Sequence, residues 1–378
     1  MNKFKFYFLV LFATLSLFSC RKDDIGITVE PPRAYDVQRD ADMVIIEEYL
    51  KNNYITVVDN PGIVDDQDVT ITKLEVGDTE HKSIWDQTKY QLLSKEVLLH
   101  DIKYKLYYLV LRSGVGASPC NVDAVLAAYK GTYLRKSTAT ATVPSVLSAT
   151  FFEESKYPQS MFSLYTAIIG WSEIFPKFKS GTYEIRGDGT VSHKDFGAGV
   201  LFIPSGLGYY NRGAGSIPSY SPLVFSFKLY DIERIDSDSD GIFNYQEGLK
   251  NDGYIYDYRN TIFYPKAPID VDVYEDDTDK DGIPDFLDVD DDGDGTTTKL
   301  ETKRPDLIVN SVSVSNGYYP FNGAKDENGN PFNDPATPNI DESQGIPSYE
   351  KDNVGDKFDY TSPNRLRVHL NKDYPLKP

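Results

Sequence analysis

The chain has 378 residues, among them 28 Tyr and 20 Phe, enough for two or three units with a substantial aromatic core. Its 58 acidic and 39 basic side chains leave a formal net charge of −19, with Asp crowded between residues 236 and 294. Nucleic-acid binding is driven by Lys and Arg neutralising phosphates, so this balance excludes such a partner and suits a solvated protein or one that takes up cations.

At the N-terminus, Lys3 and Lys5 precede an apolar run from Phe6 to Phe18. The run is shorter than the roughly 20 residues that span a bilayer as a helix, and residues 1–19 read as a signal peptide. Leu17-Phe18-Ser19-Cys20 resembles the bacterial lipobox, although Phe18 stands where a small or branched residue is usual. That resemblance implies a lipid on Cys20 and an exported protein tethered to the outer membrane, facing the periplasm or the medium. Arg21-Lys22-Asp23-Asp24 is similar to the signal that sends Bacteroidetes-type lipoproteins to the cell surface. With Cys20 lipidated, Cys120 has no partner for an internal disulfide.

Residues 20–35, with Pro31 and Pro32, read as a tether. From Asp36 to Tyr54 the spacing of Met43, Ile46, Tyr49 and Leu50 predicts a helix, which opens a small N-terminal module over 36–103. Residues 104–235 change to strand texture: Tyr104–Leu111, Val122–Tyr129, Gly199–Pro204 and Leu223–Ile232 are predicted strands. A short helix is predicted over Ile168–Phe178. Thr132–Ser148 and Thr182–Ala198 read as insertions. Strands around one short helix predict an α+β domain with an antiparallel sheet.

Several motifs in this stretch resemble FKBP-type peptidyl-prolyl isomerases, in order and over about 130 residues. Val125–Tyr129 with Gly131 is similar to the strand that carries Tyr-x-Gly. Phe152-Glu153-Glu154-Ser155 resembles Phe-Asp-x-Ser, and Gly170-Trp171 through Lys179-Ser180-Gly181 resembles the central helix segment. Leu201-Phe202-Ile203-Pro204-Ser205-Gly206-Leu207-Gly208-Tyr209 is similar to the Ile-Pro-Ser-x-Leu-x-Tyr stretch. The resemblance implies an FKBP-like antiparallel sheet wrapped around a short helix. It further implies that Trp171 floors a prolyl pocket walled by Tyr129, Phe152, Phe162 and Phe225. Ile168 would offer its N–H and Tyr209 its hydroxyl, and Ile217 would flank the pocket. Glu153 stands where the family carries Asp. The chemistry needs no cofactor: the barrier of about 18–20 kcal/mol falls when the carbonyl is desolvated and the twisted amide is bound better than the planar one.

Residues 236–301 are Asp at every second position. Asp236, Asp238, Asp240, Ile242 (by its carbonyl), Asn244 and Glu247 fit the ligand positions of an EF-hand loop, with Gly241 at the sharp turn. Asp277, Asp279, Asp281, Ile283, Asp285 and Asp288 make a second loop, and Asp290, Asp292, Asp294, Thr296, Thr298 and Glu301 a third. The seam between Asp288 and Asp290 predicts that the last two ions share a compact cluster. The run Asp-x-Asp-x-Asp-Gly-Ile-Pro-Asp resembles thrombospondin type 3 repeats, which implies structural Ca2+ in a loop-rich C-terminal segment. Residues 302–378 are a tail without an assigned fold. His81, His100, His193 and His369 are scattered and form no zinc or nucleophilic constellation.

The function expected from these features is isomerisation of X–Pro bonds in exported polypeptides by a membrane-tethered foldase. A non-catalytic module for proline-containing segments and a calcium-dependent surface or adhesion protein are the alternatives.

Overall fold

The computed structural model describes residues 31–378 except 249, 251, 267–275, 338–339, 353 and 376–378. The signal peptide, Cys20 and most of the tether lie outside the described residues. Among those residues no helix is long and apolar enough to cross a membrane.

One antiparallel sheet organises the molecule. It is built from β3 (Leu92–Leu99), β4 (Ile102–Arg112), β10 (Gly197–Ile203), β11 (Leu223–Glu233), β5 (Ala124–Lys136) and β6 (Leu147–Ser155), side by side in that order. The short β7 (Phe162–Ser163) adds to β5. Alternation sorts the side chains of each strand. Tyr104, Leu106 and Tyr108 of β4, Leu201 and Ile203 of β10, and Phe225, Phe227 and Leu229 of β11 form one core. Tyr107, Leu109, Val200, Phe202 and Val224 point the other way into a second core. Each of the seven residues of β10 is buried, because both faces of the sheet are covered.

The first face is covered by α2 (Ile169–Ile174), continued by a 3-10 turn at Phe175–Lys177. Trp171, Ile174, Phe175 and Phe178 drive into the sheet from this segment. Gly170 permits the approach: a Cβ there would come within 2.6 Å of Ile203 Cγ2. The second face is covered by α1 (Tyr35–Asn52), which has no Gly or Pro, an Asp in its first turn and a Lys in its last. Ile46, Tyr49 and Leu50 of α1 are buried in the second core. A small hairpin of β1 (Asn53–Val57) and β2 (Val69–Lys73) follows, and Ile55, Val69 and Ile71 pack at the margin of that core.

This arrangement corrects the boundary expected between residues 103 and 104. His100 and Asp101, with φ of 55° and 60°, form the two-residue turn of a hairpin, and β3 pairs with β4 from Leu92↔Leu109 to Leu99↔Ile102. The expected boundary cuts that hairpin. The N-terminal segment is therefore a layer of the same body, supplying an edge strand and the lid of the second core.

Both insertions form hairpins, and Tyr133 of the first packs at the margin of the core that holds Trp171. Thr182–Ala198 is largely a hairpin of β8 (Thr182–Ile185) and β9 (Val191–Lys194), and its His193 stacks on Tyr230, on the opposite side of β11 from Phe227 and Leu229. The lengthened β5–β6 hairpin sends Leu134 and Leu147 to the second core, and Lys136 pairs with Glu48 of α1 at 2.5 Å.

Beyond the Asp-rich loops, the tail forms β12 (Leu307–Val309) with β13 (Val312–Val314), and β14 (Ser348–Lys351) with β15 (Asp356–Asp359). Its apolar residues Ile346, Tyr349 and Val368 close over Ile242 of the first Asp loop.

Candidate functional site

The aromatic residues expected to line a pocket come together on the first face. The Trp171 ring lies 5.0 Å from Tyr129, 5.2 Å from Phe162 and 5.0 Å from Phe225, and Phe152 lies 5.5 Å from Phe225, most of them edge to face. Trp171, Phe225 and Ile217 are buried, whereas Tyr129, Phe152, Phe162, Ile168 and Tyr209 are half-buried around them. Trp171 is held by its own N–H donating to the Ile168 carbonyl at 2.9 Å and by stacking on Phe175. Ile168 is extended (φ −62°, ψ 142°) just before the helix. Ile217 closes a tight loop, exchanging two backbone hydrogen bonds with Ala214.

Polar groups are few. The Tyr129 hydroxyl donates to Glu153 Oε1 at 3.0 Å, so the longer carboxylate still reaches the tyrosine opposite. Burial, and then that hydrogen bond, pushes the Tyr129 phenol up to about 12. Burial followed by the Glu153 charge raises Tyr209 as well, so both phenols stay protonated donors at neutral pH. The Trp171 Nε1–H is buried and has no hydrogen-bond partner among the described residues. One residue that sequence reasoning assigned no role shapes the wall. Gly131 lies opposite Phe225 on one neighbouring strand and Glu153 on the other. A Cβ at Gly131 would overlap the Phe152 ring and come within 2.8 Å of Phe225 Cε1, so its absence lets the two rings meet.

The three Asp-rich loops repeat one backbone design. Gly241, Gly282 and Gly295 sit at φ of 105°, 97° and 95°, the left-handed turn that glycine adopts without strain. In each loop this glycine N–H donates to the first Asp: Asp236 at 3.2 Å, Asp277 at 3.0 Å and Asp290 at 2.9 Å. Carboxylates then gather as Asp236 with Asp238 and Asp240, Asp277 with Asp279 and Asp281, and Asp290 with Asp292 and Asp294. Buried oxygens of Asp238, Asp240, Glu247, Asp290, Asp292 and Glu301 have no hydrogen-bond partner among the described residues. Buried acceptors are ordinarily paired, so this donor set fits a hard divalent cation. Burial, reinforced by neighbouring carboxylates, pushes Glu247 up to about 11 and Glu301 up to about 9.

Three expected ligands take another part. Asn244 Oδ1 accepts from the Ser237 N–H at 2.9 Å, Asp285 from the Thr278 N–H at 2.8 Å, and Thr298 Oγ1 from the Asp291 N–H at 3.3 Å. These side chains brace the start of each loop, and Asp285 is further occupied by the Thr278 hydroxyl. The second and third loops do touch, since a Cβ on Gly293 would overlap the Asp279 carboxylate. Their carboxylates nevertheless gather as separate groups.

The loops dock on the sheet domain. Cys120 and Val122, ahead of β5, pack with Ile255 and Phe286. Asn121 exchanges side-chain hydrogen bonds with the Ile255 backbone at 2.7 and 2.9 Å. Tyr254 donates to the Glu173 carbonyl of α2 at 2.8 Å, while Lys95 pairs with the buried Glu173 carboxylate at 2.6 Å and lies over the Tyr254 ring. The helix that carries Trp171 is thus fastened from behind by the segment between the first and second Asp loops.

Comparison with known proteins finds a likeness over part of the chain. Over 143 residues the chain is 30% identical to the FKBP-type peptidyl-prolyl cis-trans isomerase FkpA of Aeromonas hydrophila, covering 36% of this chain and 41% of that protein. The chain thus spans about two fifths of the length of that curated relative. A peptidyl-prolyl cis-trans isomerase structure from Pseudomonas syringae pv. tomato is matched at 17% identity and a TM-score of 0.29, over 54% of this chain and 99% of that one. FkpA from Escherichia coli is matched at 25% identity and a TM-score of 0.26, over 39% of this chain and 54% of that one. A family model described as BamM C-terminal matches residues 237–331, which hold the Asp-rich loops except Asp236. Part of the chain is therefore similar in sequence to an FKBP-type peptidyl-prolyl isomerase, and residues 237–331 to the BamM C-terminal family.

Proposed function

We propose that the protein is a peptidyl-prolyl cis-trans isomerase acting on X–Pro bonds of exported polypeptides, with structural Ca2+ in its Asp-rich loops. The observation that carries this reading is the aromatic cluster around Trp171. Trp171 is ringed by Tyr129, Phe162 and Phe225, and the hydroxyl of Tyr129 is held by Glu153 at the rim. A prolyl ring seated on Trp171 would bring its preceding carbonyl out of water, where the single-bonded, twisted amide is favoured over the planar, more polar one. The Tyr209 hydroxyl and the Ile168 N–H would donate to the substrate backbone, and both residues are half-buried at the margin of this core. Asp236, Asp238, Asp240 and Glu247 would hold one ion, Asp277, Asp279, Asp281 and Asp288 a second, and Asp290, Asp292, Asp294 and Glu301 a third. The ions would supply the positive charge that these clustered carboxylates lack. Export, lipidation at Cys20 and tethering to the outer membrane complete the reading.

The test is acceleration of cis–trans exchange in an X–Pro peptide, followed by NMR exchange or protease coupling, for the wild type, Trp171→Leu and Tyr209→Phe. The wild type should accelerate exchange. Trp171→Leu should lower kcat/KM by roughly tenfold or more, a loss of about 1.4 kcal/mol in transition-state binding. Circular dichroism checks that both variants fold. Saturable peptide binding by a wild type that gives no acceleration would replace catalysis by the binding-module reading.

A further inference from the structure

Asp291 occupies the second position of the third loop, which supplies no ligand in an EF-hand loop. The other two loops carry Ser237 and Thr278 at that position. The Asp291 carboxylate lies against the first loop. It is 1% exposed, and neither carboxylate oxygen has a hydrogen-bond partner among the described residues. It faces two carboxylates of the first loop, Asp240 (2% exposed) and Glu247 (5% exposed). One oxygen from each of the three lies within 4.8 Å of the others. Asp240 Oδ2 and both Glu247 oxygens likewise have no hydrogen-bond partner among the described residues.

Three buried carboxylates this close repel strongly, and removing each from water has a cost that only a cation or a proton offsets. One contact within the third loop and one between the loops support this relation. The Asp291 N–H donates to Thr298, which pins the loop backbone, and Lys299 of the third loop donates to the Ser239 carbonyl of the first at 2.8 Å. We propose that Asp291 completes the cation site of the first loop from the third, so that one divalent ion is gripped by Asp240, Glu247 and Asp291 across both loops. This rests on the reading of the loops as calcium sites and adds to it a shared ligand. The first site then forms fully only when the third loop is in place, and binding in the two loops is reciprocally coupled.

The discriminating residue is silent if the three loops act independently. Calorimetric titration of the metal-stripped full chain with CaCl2 is compared for the wild type, Asp291→Asn and Asp236→Ala. The proposal expects Asp291→Asn to weaken one site by roughly tenfold or more, in the range set by ligand charge and supporting groups. It also expects terbium luminescence excited through Tyr245 of the first loop to need correspondingly more metal in that variant. Metal-stripped Asp291→Asn should melt no lower than the stripped wild type, because a buried charge has been removed; Asp291→Ser carries the same expectation if the Asn variant does not fold. If Asp291→Asn titrates like the wild type while Asp236→Ala loses a site, the shared ligand is wrong and the calcium reading stands. If the wild type takes up no calcium, both fall.

Discussion

At the scale of single residues, the aromatic cluster depends on an atom that is missing. Gly131 lies where Phe152 and Phe225 converge, and neither ring can retreat without leaving the Trp171 cluster. Gly131→Ala is expected to destabilise the fold by about 1–3 kcal/mol, the range for overpacking a tight core, and to lower peptide binding alongside. Urea denaturation and peptide titration check this; unchanged stability would mean that the rings yield more easily than their packing suggests. The aromatic wall was legible in the sequence because Trp171, Tyr129 and Phe225 sit in ordered local motifs. Asp291 was not, because its role is set by a loop distant in sequence. The one available signal was local: a carboxylate where the sibling loops carry Ser237 and Thr278.

At the scale of elements, α1 is the layer that sequence periodicity found and whose purpose it missed. The Met43, Ile46, Tyr49 and Leu50 spacing located the helix, but only the tertiary structure places it over the back of the sheet. The all-apolar β10 run was the local trace of that second cover, since a strand buried on one face alternates. The start of α1 is clamped by stacking of Tyr35 on His100 at 3.6 Å, and His100 also meets the Tyr104 hydroxyl at 3.0 Å. Burial pulls the His100 imidazole from its ordinary 6.5 down to about 4. The folded state therefore binds fewer protons than the unfolded state between those values. The stability contributed by neutral His100 is complete above about 6.5 and is lost as the pH falls toward about 4. Urea midpoints across this window should fall for the wild type and fall less for His100→Phe, which keeps a stacking ring and cannot titrate. Parallel pH profiles for the two proteins would remove His100 from the account. Buried His369 shifts in the same direction and supplies part of the remaining slope.

At the scale of the whole molecule, the Asp-rich loops are fastened to the sheet domain on one side, through Asn121 with Ile255 and Tyr254 with Glu173, and to the C-terminal hairpins on the other, through Ile242. The carboxylate clusters of residues 236–301 were legible in the charge pattern, yet nothing in it announced these contacts, which use isolated residues such as Tyr254 and Asn121. A segment charged this heavily is expected to keep its docked geometry only while its carboxylates are neutralised, so under the proposed calcium reading the loops and the helix that carries Trp171 would share a dependence on the ions.

Cys120 turns that dependence into something that can be timed. Its thiol is 3% exposed, packed with Ile255 and Phe286, and burial pushes its pKa up to about 12, so the docked protein presents almost no thiolate to a reagent. Labelling has to wait for Phe286 and Ile255 to lift away, and its rate then counts the fraction of molecules in which the loops have come off the sheet. With calcium the reaction should be slow. Chelation should quicken it roughly tenfold or more, as a loss of about 1.4 kcal/mol in docking energy requires. Equal rates with and without chelator would mean that the loops stay seated by their apolar contacts alone. A native thiol thus serves as a stopwatch for the attachment of the acidic segment, with no label introduced into the aromatic cluster or into the loops themselves.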